Sequence, residues 1–298
     1  MYLIVGANGF LGSYIIKNIL ENTRESIVGA GLGISECIST ERIKWIECDV
    51  TSSKSVDNLI NNVDKQDLNI IYLAAFHKPD DVEKKPNLAW SINVTALSSF
   101  INKVDFAKSF YYASTDSVYG NSFNGHHFKE NDPLNPVNQY GHNKCAAEAI
   151  VVHKGRNVVR FPFLISPSLA NKKHFYDEIV DTIKSGKTIE MYVDSFRSSL
   201  SFDNASLLLV SLIEKGNNPS IVNICGDLDL SKFEVALRIA EIEKLDKTKI
   251  VPVSISKIQA NFITKRADST LMDNGLLKQI LGIESIDIFD KPVFKQGD

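Results

Sequence analysis

Val5-Gly6-Ala7-Asn8-Gly9-Phe10-Leu11-Gly12 is the stretch that decides the fold. It follows the apolar run Tyr2–Val5, which reads as a buried strand, and it opens a helical stretch over Phe10–Glu21. Glycines at such a strand-to-helix turn meet three demands: the turn is tight, the backbone approaches a pyrophosphate, and the helix sits close to the strand. The helix start then presents free N–H groups and a positive dipole end to the phosphates. Gly6, Asn8, Gly9, Phe10, Leu11 and Gly12 are therefore candidate cofactor-binding positions. A glycine triplet alone also suits a plain turn. Its place at the head of a strand–helix–strand series is what favours the dinucleotide reading.

Outward from that turn the alternation continues. Ser26–Ala30, Ile43–Glu47, Ile70–Leu73, Ser109–Ala113, Asn157–Phe161 and Ile221–Ile224 read as strands. Ser53–Val63, Pro86–Val104 and Gln139–Val151 read as helices between them. This order predicts an α/β fold, a Rossmann-like doubly wound parallel sheet with helices on both faces. After Ile165 the rhythm loosens, with helices at His174–Ser185 and Ser231–Glu243 and a strand at Thr188–Val193. Residues 1–165 plus about 201–226 are assigned to the dinucleotide-binding domain, and about 166–200 and 227–298 to a smaller C-terminal substrate-binding lobe sharing its cleft.

The bulk composition narrows the partners. The chain has 298 residues with 33 Lys+Arg against 36 Asp+Glu, a net charge of −3, so no basic footprint for nucleic acid or an anionic membrane is present. No apolar run reaches the roughly 18 residues of a membrane span, and Met1–Gly6 lacks a positive leader, so the expectation is a cytoplasmic protein. Cys37, Cys48, Cys145 and Cys225 lack metal-like spacing and read as reduced thiols. His77, His126, His127 and His142 lack it too, and no metal is expected.

Tyr140-Gly-His-Asn-Lys144 places a phenol and an amine on one helix face. A free phenol, with a pKa of about 10, is a poor proton carrier at neutral pH. A nearby ammonium and a positive nicotinamide ring would favour the phenolate and bring that pKa down. The lysine can also hold the nicotinamide ribose. Upstream, Tyr111-Tyr-Ala-Ser-Thr-Asp-Ser-Val-Tyr-Gly120 puts Thr115 at the end of a central strand, where open α/β sheets bind ligands. Its hydroxyl can donate to a substrate oxygen while the tyrosine handles the proton. Read alone, Thr115 is as well a strand-end turn residue.

Together these segments resemble the extended short-chain dehydrogenase/reductases of the NAD-dependent epimerase/dehydratase type. The likeness rests on Ala113–Gly120, Glu130–Pro136 and Tyr140–Glu148, supported by Ala74-Ala75, Pro86 and Ile92-Asn93-Val94. It spans nearly the whole chain and is looser after residue 165. The resemblance implies Thr115, Tyr140 and Lys144 as the catalytic trio. It implies cofactor contacts from Asp49-Val50 at the adenine, from Leu73-Ala74-Ala75 beside the ribose, and from Asn93, Phe161, Tyr140 and Lys144. On residues alone, Asp49 equally suits a surface turn and Ala74-Ala75 a helix start. Phe196-Arg197 with Asp203 resembles the segment whose arginine holds substrate phosphates, because a planar fork suits phosphate oxygens. His77, Asp116 and Ser117 complete the candidate substrate contacts.

Within the family, dehydratases carry Asp-Glu after the threonine; here the pair is Asp116-Ser117, which counts against dehydration. Ser-Thr-Asp before the turn, Asn-Pro before Tyr140-Gly141, and Arg266-Ala-Asp-Ser-Thr-Leu-Met-Asp273 resemble the dTDP-4-dehydrorhamnose reductase group of nucleotide-sugar 4-ketoreductases. In the last stretch, alanine and serine stand where the group has proline and asparagine. The resemblance implies an NAD(P)-dependent oxidoreductase reducing a 4-keto(-6-deoxy) nucleotide sugar. An epimerase with resident NAD and a non-catalytic dinucleotide-binding regulatory protein are the alternatives. Ile27–Gly33 holds no carboxylate, the nearest acid being Glu36, which tilts the cofactor towards NADP(H) with NAD(H) open. A nucleotide-sugar substrate and a homodimer are the expected partners.

Overall fold

The computed structural model describes residues 1–34, 40–256 and 262–295; Glu36 and Cys37 lie outside the described residues. Seven parallel strands form the main sheet. In chain order they are β1 (Tyr2–Val5), β2 (Ile27–Gly31), β3 (Ile43–Glu47), β4 (Asn69–Tyr72), β5 (Ser109–Thr115), β7 (Asn157–Phe161) and β10 (Ile221–Asn223). The short β6 (His127–Phe128), β8 (Ile189–Tyr192) and β9 (Phe196–Arg197) lie outside that sheet. The spatial order β3-β2-β1-β4-β5-β7-β10 reverses direction at β1 and β4, so a crevice opens beyond their C-terminal ends.

Alternation along the strands divides the core in two. Tyr2 and Ile4 face a cluster with Ile15 and Ile19 of α1 (Phe10–Asn22) and Leu208, Leu209 and Leu212 of α8 (Phe202–Lys215). Leu3 and Val5 face the opposite cluster, with Leu59 of α2 (Ser53–Asn61), Phe100 of α5 (Leu97–Ile101) and Val151 of α6 (Gln139–His153). Each such fully buried aliphatic side chain contributes about 1.5–3 kcal/mol relative to exposure, which is why the sheet's register is firmly specified.

The predicted Pro86–Val104 helix is three joined pieces: α4 (Pro86–Trp90), a π-helical segment at Ser91–Ala96, and α5. A separate short helix, α3 (Pro79–Lys84), precedes it. The strand predicted at Ile70–Leu73 ends one residue earlier, which frees Leu73 for the crevice. β5 runs past the predicted Ala113 to Thr115, because Tyr111 through Thr115 pair in register with Asn157 through Phe161.

A third apolar cluster joins α7 (Phe175–Lys184), α9 (Lys232–Ile242) and the parallel pair β8 and β11 (Ile250–Val253). Not all of the C-terminal stretch joins it. Leu277 of α10 (Gly275–Leu281), with Ile283 and Ile286, packs into the main-sheet cluster beside α8. The residues following about 275 thus cover the sheet as well as closing the second lobe.

Candidate active site

A cavity of about 1150 Å³ runs along the crevice. That volume exceeds what one drug-sized ligand occupies and suits a dinucleotide together with a second molecule. Gly6 through Gly12, apart from Ala7, line one end. Gly6 has φ +88°, and a Cβ there would lie 2.9 Å from Ala74 N, so the turn and the segment after β4 meet backbone to backbone. A Cβ on Gly12 would lie 2.5 Å from Ala7 O, so α1 seats closely on its strand. A Cβ on Gly9 would meet only Gly6 O, at 3.2 Å, and otherwise face the open cavity. Gly9 caps α1 without a side-chain bond, so the first N–H groups of the helix are open to a diphosphate. These residues fit a dinucleotide.

Asp49, Val50, Leu73, Ala74, Ala75, His77 and Phe161 also line the cavity. Asn93 does not. Its side chain accepts from Phe76 N–H at 2.8 Å and donates to Phe76 O at 3.0 Å, so it positions the 74–77 segment from inside the π-helical turn. Asp49 accepts both the backbone N–H and the hydroxyl of Thr51, a local turn that aims Val50 at the cavity.

Thr115, Tyr140 and Lys144 come together on the wall next to Phe161. Thr115 is the last residue of β5, and its Oγ1 accepts the Ser117 N–H at 3.2 Å. The same oxygen lies 3.0 Å from Asp116 Oδ1 and 3.2 Å from Ser117 Oγ. α6 starts one residue before Tyr140, capped by Asn138, whose Oδ1 accepts the Gly141 N–H at 3.0 Å while its Nδ2 donates to Lys265 O. One turn on, Lys144 Nζ donates to Ala113 O at 2.8 Å and lies over the Tyr112 and Tyr140 rings at 4.5 and 5.9 Å.

Burial governs the ionisation here, against the sequence expectation of a lowered phenol. It holds Tyr140 well above the ordinary tyrosine value, with the Asp116 charge adding to the rise. It pushes Lys144 down to about 7, with Glu148 opposing. His174, also at the cavity, is lowered to about 4 by burial, and His77 is lowered for the same reason. Tyr140 is therefore a held proton at neutral pH. Because Lys144's pKa in the fold is depressed from 10.5 to about 7, its contribution to stability is complete above 10.5 and falls away towards 7. The stability gap between the protein and its Lys144→Met variant should widen in the wild type's favour as pH rises from 7 to 9 in denaturant titrations. A gap independent of pH would show that this amine is not desolvated.

Arg197 is not at the cavity. Its guanidinium donates to Ala267 O, Asp268 O and Phe196 O at 2.8, 3.1 and 2.7 Å, and its Nε lies 3.4 Å from Asp116. The expected phosphate fork is thus committed as a brace between β9 and the 267–268 segment, because carbonyls of its own neighbourhood take its donors. Asp116 and Ser117 likewise lie behind Thr115 rather than on the cavity wall. Burial raises the Asp116 carboxyl and Arg197 opposes that rise. Asp203 pairs with Lys17 at 2.8 Å, away from Arg197.

Two cations that the sequence reading did not assign to phosphate stand beside this brace. Lys232, at the start of α9, lies over the rings of Phe163, Phe175 and Tyr192 at 4.7, 4.9 and 5.7 Å. It is pushed down to about 8 by burial and by Arg197 and Arg266 nearby. Arg266 pairs with Asp80 through Nη2 at 2.9 Å, while its buried Nη1 has no hydrogen-bond partner. Arg266 sits in the stretch noted above; Lys232 follows a helix cap, Ser231, and carries no motif. Lys172 also reaches the cavity, over the Phe10 ring at 4.8 Å.

Among the described residues no cluster of three or more His, Cys, Asp or Glu could hold a metal ion, and no helix is long and apolar enough to cross a membrane. A parallel sheet with a glycine turn, a strand-end threonine and a Tyr-x-x-x-Lys helix around one cavity defines an extended short-chain dehydrogenase/reductase. The chain belongs to the family of the RmlD substrate binding domain, whose profile matches residues 1–288. It is 25% identical over 257 residues to the low-salt glycan biosynthesis protein Agl12 of Haloferax volcanii, covering 80% of this chain and 81% of that one. It is 26% identical over 264 residues to methionine adenosyltransferase 2 subunit beta of Bos taurus, covering 86% and 76%. The fold superposes on the crystal structure of dTDP-4-dehydrorhamnose reductase from Bacillus anthracis in complex with NADP, with a TM-score of 0.77 at 20% identity over 96% of this chain and 94% of that one.

Proposed function

We propose that this protein is an NAD(P)-dependent reductase of a nucleotide-linked 4-keto(-6-deoxy) sugar. The observation that carries the reading is the gathering of Thr115, Tyr140 and Lys144 on the wall of a cavity that begins at the glycine turn. Bound in that cavity, the nicotinamide would supply the hydride for the sugar's C4 carbonyl. Tyr140, kept protonated by burial, gives its proton to the oxygen as negative charge builds there. Thr115 has one proton to give, so polarising the substrate oxygen means releasing Asp116 or Ser117. Lys144, anchored on Ala113, would hold the ribose and favour proton delivery by Tyr140.

The likeness to methionine adenosyltransferase 2 subunit beta favours a second reading, a dinucleotide-binding subunit of another enzyme. One experiment separates them. The purified protein is mixed with NADPH or NADH and dTDP-, GDP- or UDP-linked 4-keto-6-deoxy sugars, and reduced-cofactor absorbance is followed. Consumption with one sugar establishes the reductase. Tight dinucleotide binding without consumption of cofactor or isomerisation of any sugar would overturn it in favour of the subunit. Isomerisation without net consumption would overturn it in favour of an epimerase.

A further inference from the structure

NAD(H) and NADP(H) differ by a phosphate on the 2′ oxygen of the adenosine ribose, and that oxygen faces the end of the second strand in a doubly wound sheet. β2 ends at Gly31, and Leu32-Gly33-Ile34 follow without a carboxylate. The next strand brings one. Gly31 pairs in register with Glu47, the last residue of β3. Glu47 Oε1 accepts the Gly33 N–H at 2.9 Å, and Oε2 accepts the Ile34 N–H at 3.3 Å. Asn8 of the glycine turn donates to Leu32 O at 2.6 Å, so the same loop is tied to the dinucleotide turn. Gly31, Leu32, Asp49 and Val50 line this end of the cavity.

The chemistry at this end is one-sided. The two loop amides that could receive a 2′-phosphate are already bonded to a full negative charge. From Leu32 through Glu41 the sequence holds no lysine or arginine. Arg42, the next basic residue, donates to the carbonyls of Leu20, Thr23 and Glu25 around the C-terminal end of α1. A carboxylate has about four acceptor sites, so two remain on Glu47 for a ribose hydroxyl.

We propose that Glu47, reaching from β3, selects NAD(H) over NADP(H) by accepting the 2′-hydroxyl and repelling a 2′-phosphate. This does for the end of β2 what an acid of its own would do, and it reverses the tilt that the sequence of β2 alone suggested. The proposal rests on the cavity's being a dinucleotide site, but its test needs no sugar and no turnover. Calorimetry compares ADP-ribose with 2′-phospho-ADP-ribose on the full chain and on Glu47→Gln. The wild type should bind ADP-ribose about tenfold tighter or more, as one like-charge contact at a partly exposed site requires. Glu47→Gln keeps an acceptor for the loop and removes the charge, and it should narrow the ratio about fivefold by tightening the phosphorylated ligand. A purely structural Glu47 would weaken both ligands together. Equal affinities in the wild type, or a ratio unchanged in Glu47→Gln, would overturn the assignment while leaving the reductase reading intact. Binding of neither ligand would overturn both.

Discussion

Tyr140→Phe is expected to lower turnover with the cognate keto-sugar by about 10²- to 10⁴-fold, the range spanned by positioned proton transfer. The substitution removes one oxygen and leaves the ring, so its effect isolates the phenolic proton. Burial and the Asp116 charge keep that proton on Tyr140 at neutral pH, which makes the group an acid in waiting. A donor so held gives up its proton only when an alkoxide forms beside it, and this suits reduction of a carbonyl. Lys144 stays bonded to Ala113 O in the variant, and the glycine turn is untouched. Dinucleotide affinity, measured by calorimetry, should therefore stay within about threefold, since the lost interaction belongs to the transition state. Turnover within tenfold of wild type would take Tyr140 out of the proton-transfer role and the trio out of the mechanism.

Much of this site was legible because its chemistry confines residues to a strand end and a helix face. Tyr2–Val5, Ile43–Glu47 and Asn157–Phe161 have the same bounds in sequence and structure, since β1 and β7 lie inside the sheet as largely buried runs, while β3 at its edge alternates buried and more exposed positions between polar flanks. The π-helical segment at Ser91–Ala96 was not legible, because it disturbs the helical phase for only one turn. Its consequence, Asn93 holding the Phe76 backbone, depends on a contact across the fold. The same limit explains Arg197. A motif position shows that a guanidinium is present, not that carbonyls at Ala267 and Asp268 take its donors. Lys232 beside Arg266 and Glu47 beside Gly33 are juxtapositions made by packing and register, which no local pattern records.

Arg160→Met should remove about 3–5 kcal/mol of stability, because it leaves Glu148 as a buried charge without its partner. The side chains of Arg160 and Glu148 are 2% and 3% exposed. Arg160 Nε donates to both Glu148 oxygens at 3.0 and 3.2 Å, and Nη2 donates to Oε2 at 2.6 Å. Nη1 donates to the Tyr119 hydroxyl at 2.6 Å and to Glu130 O at 3.0 Å, with the guanidinium 4.7 Å from the Tyr119 ring centre. Among the described residues, the Ser114 hydroxyl alone would still bond Glu148 in the variant. A loss of that size lowers Tm by on the order of 10 °C for a chain of this length. Desolvating an ion pair costs nearly what the pair returns, so Glu148→Leu combined with Arg160→Met should recover most of the loss. The coupling in that double-mutant cycle should therefore reach about 2 kcal/mol or more, and additive single effects in denaturant titrations would refute the linkage. Ser114 pairs in register with Arg160, one residue before Thr115 pairs with Phe161. The pair thus fixes the strand end that carries the threonine from beneath, and the single variant should lose turnover even where it remains folded.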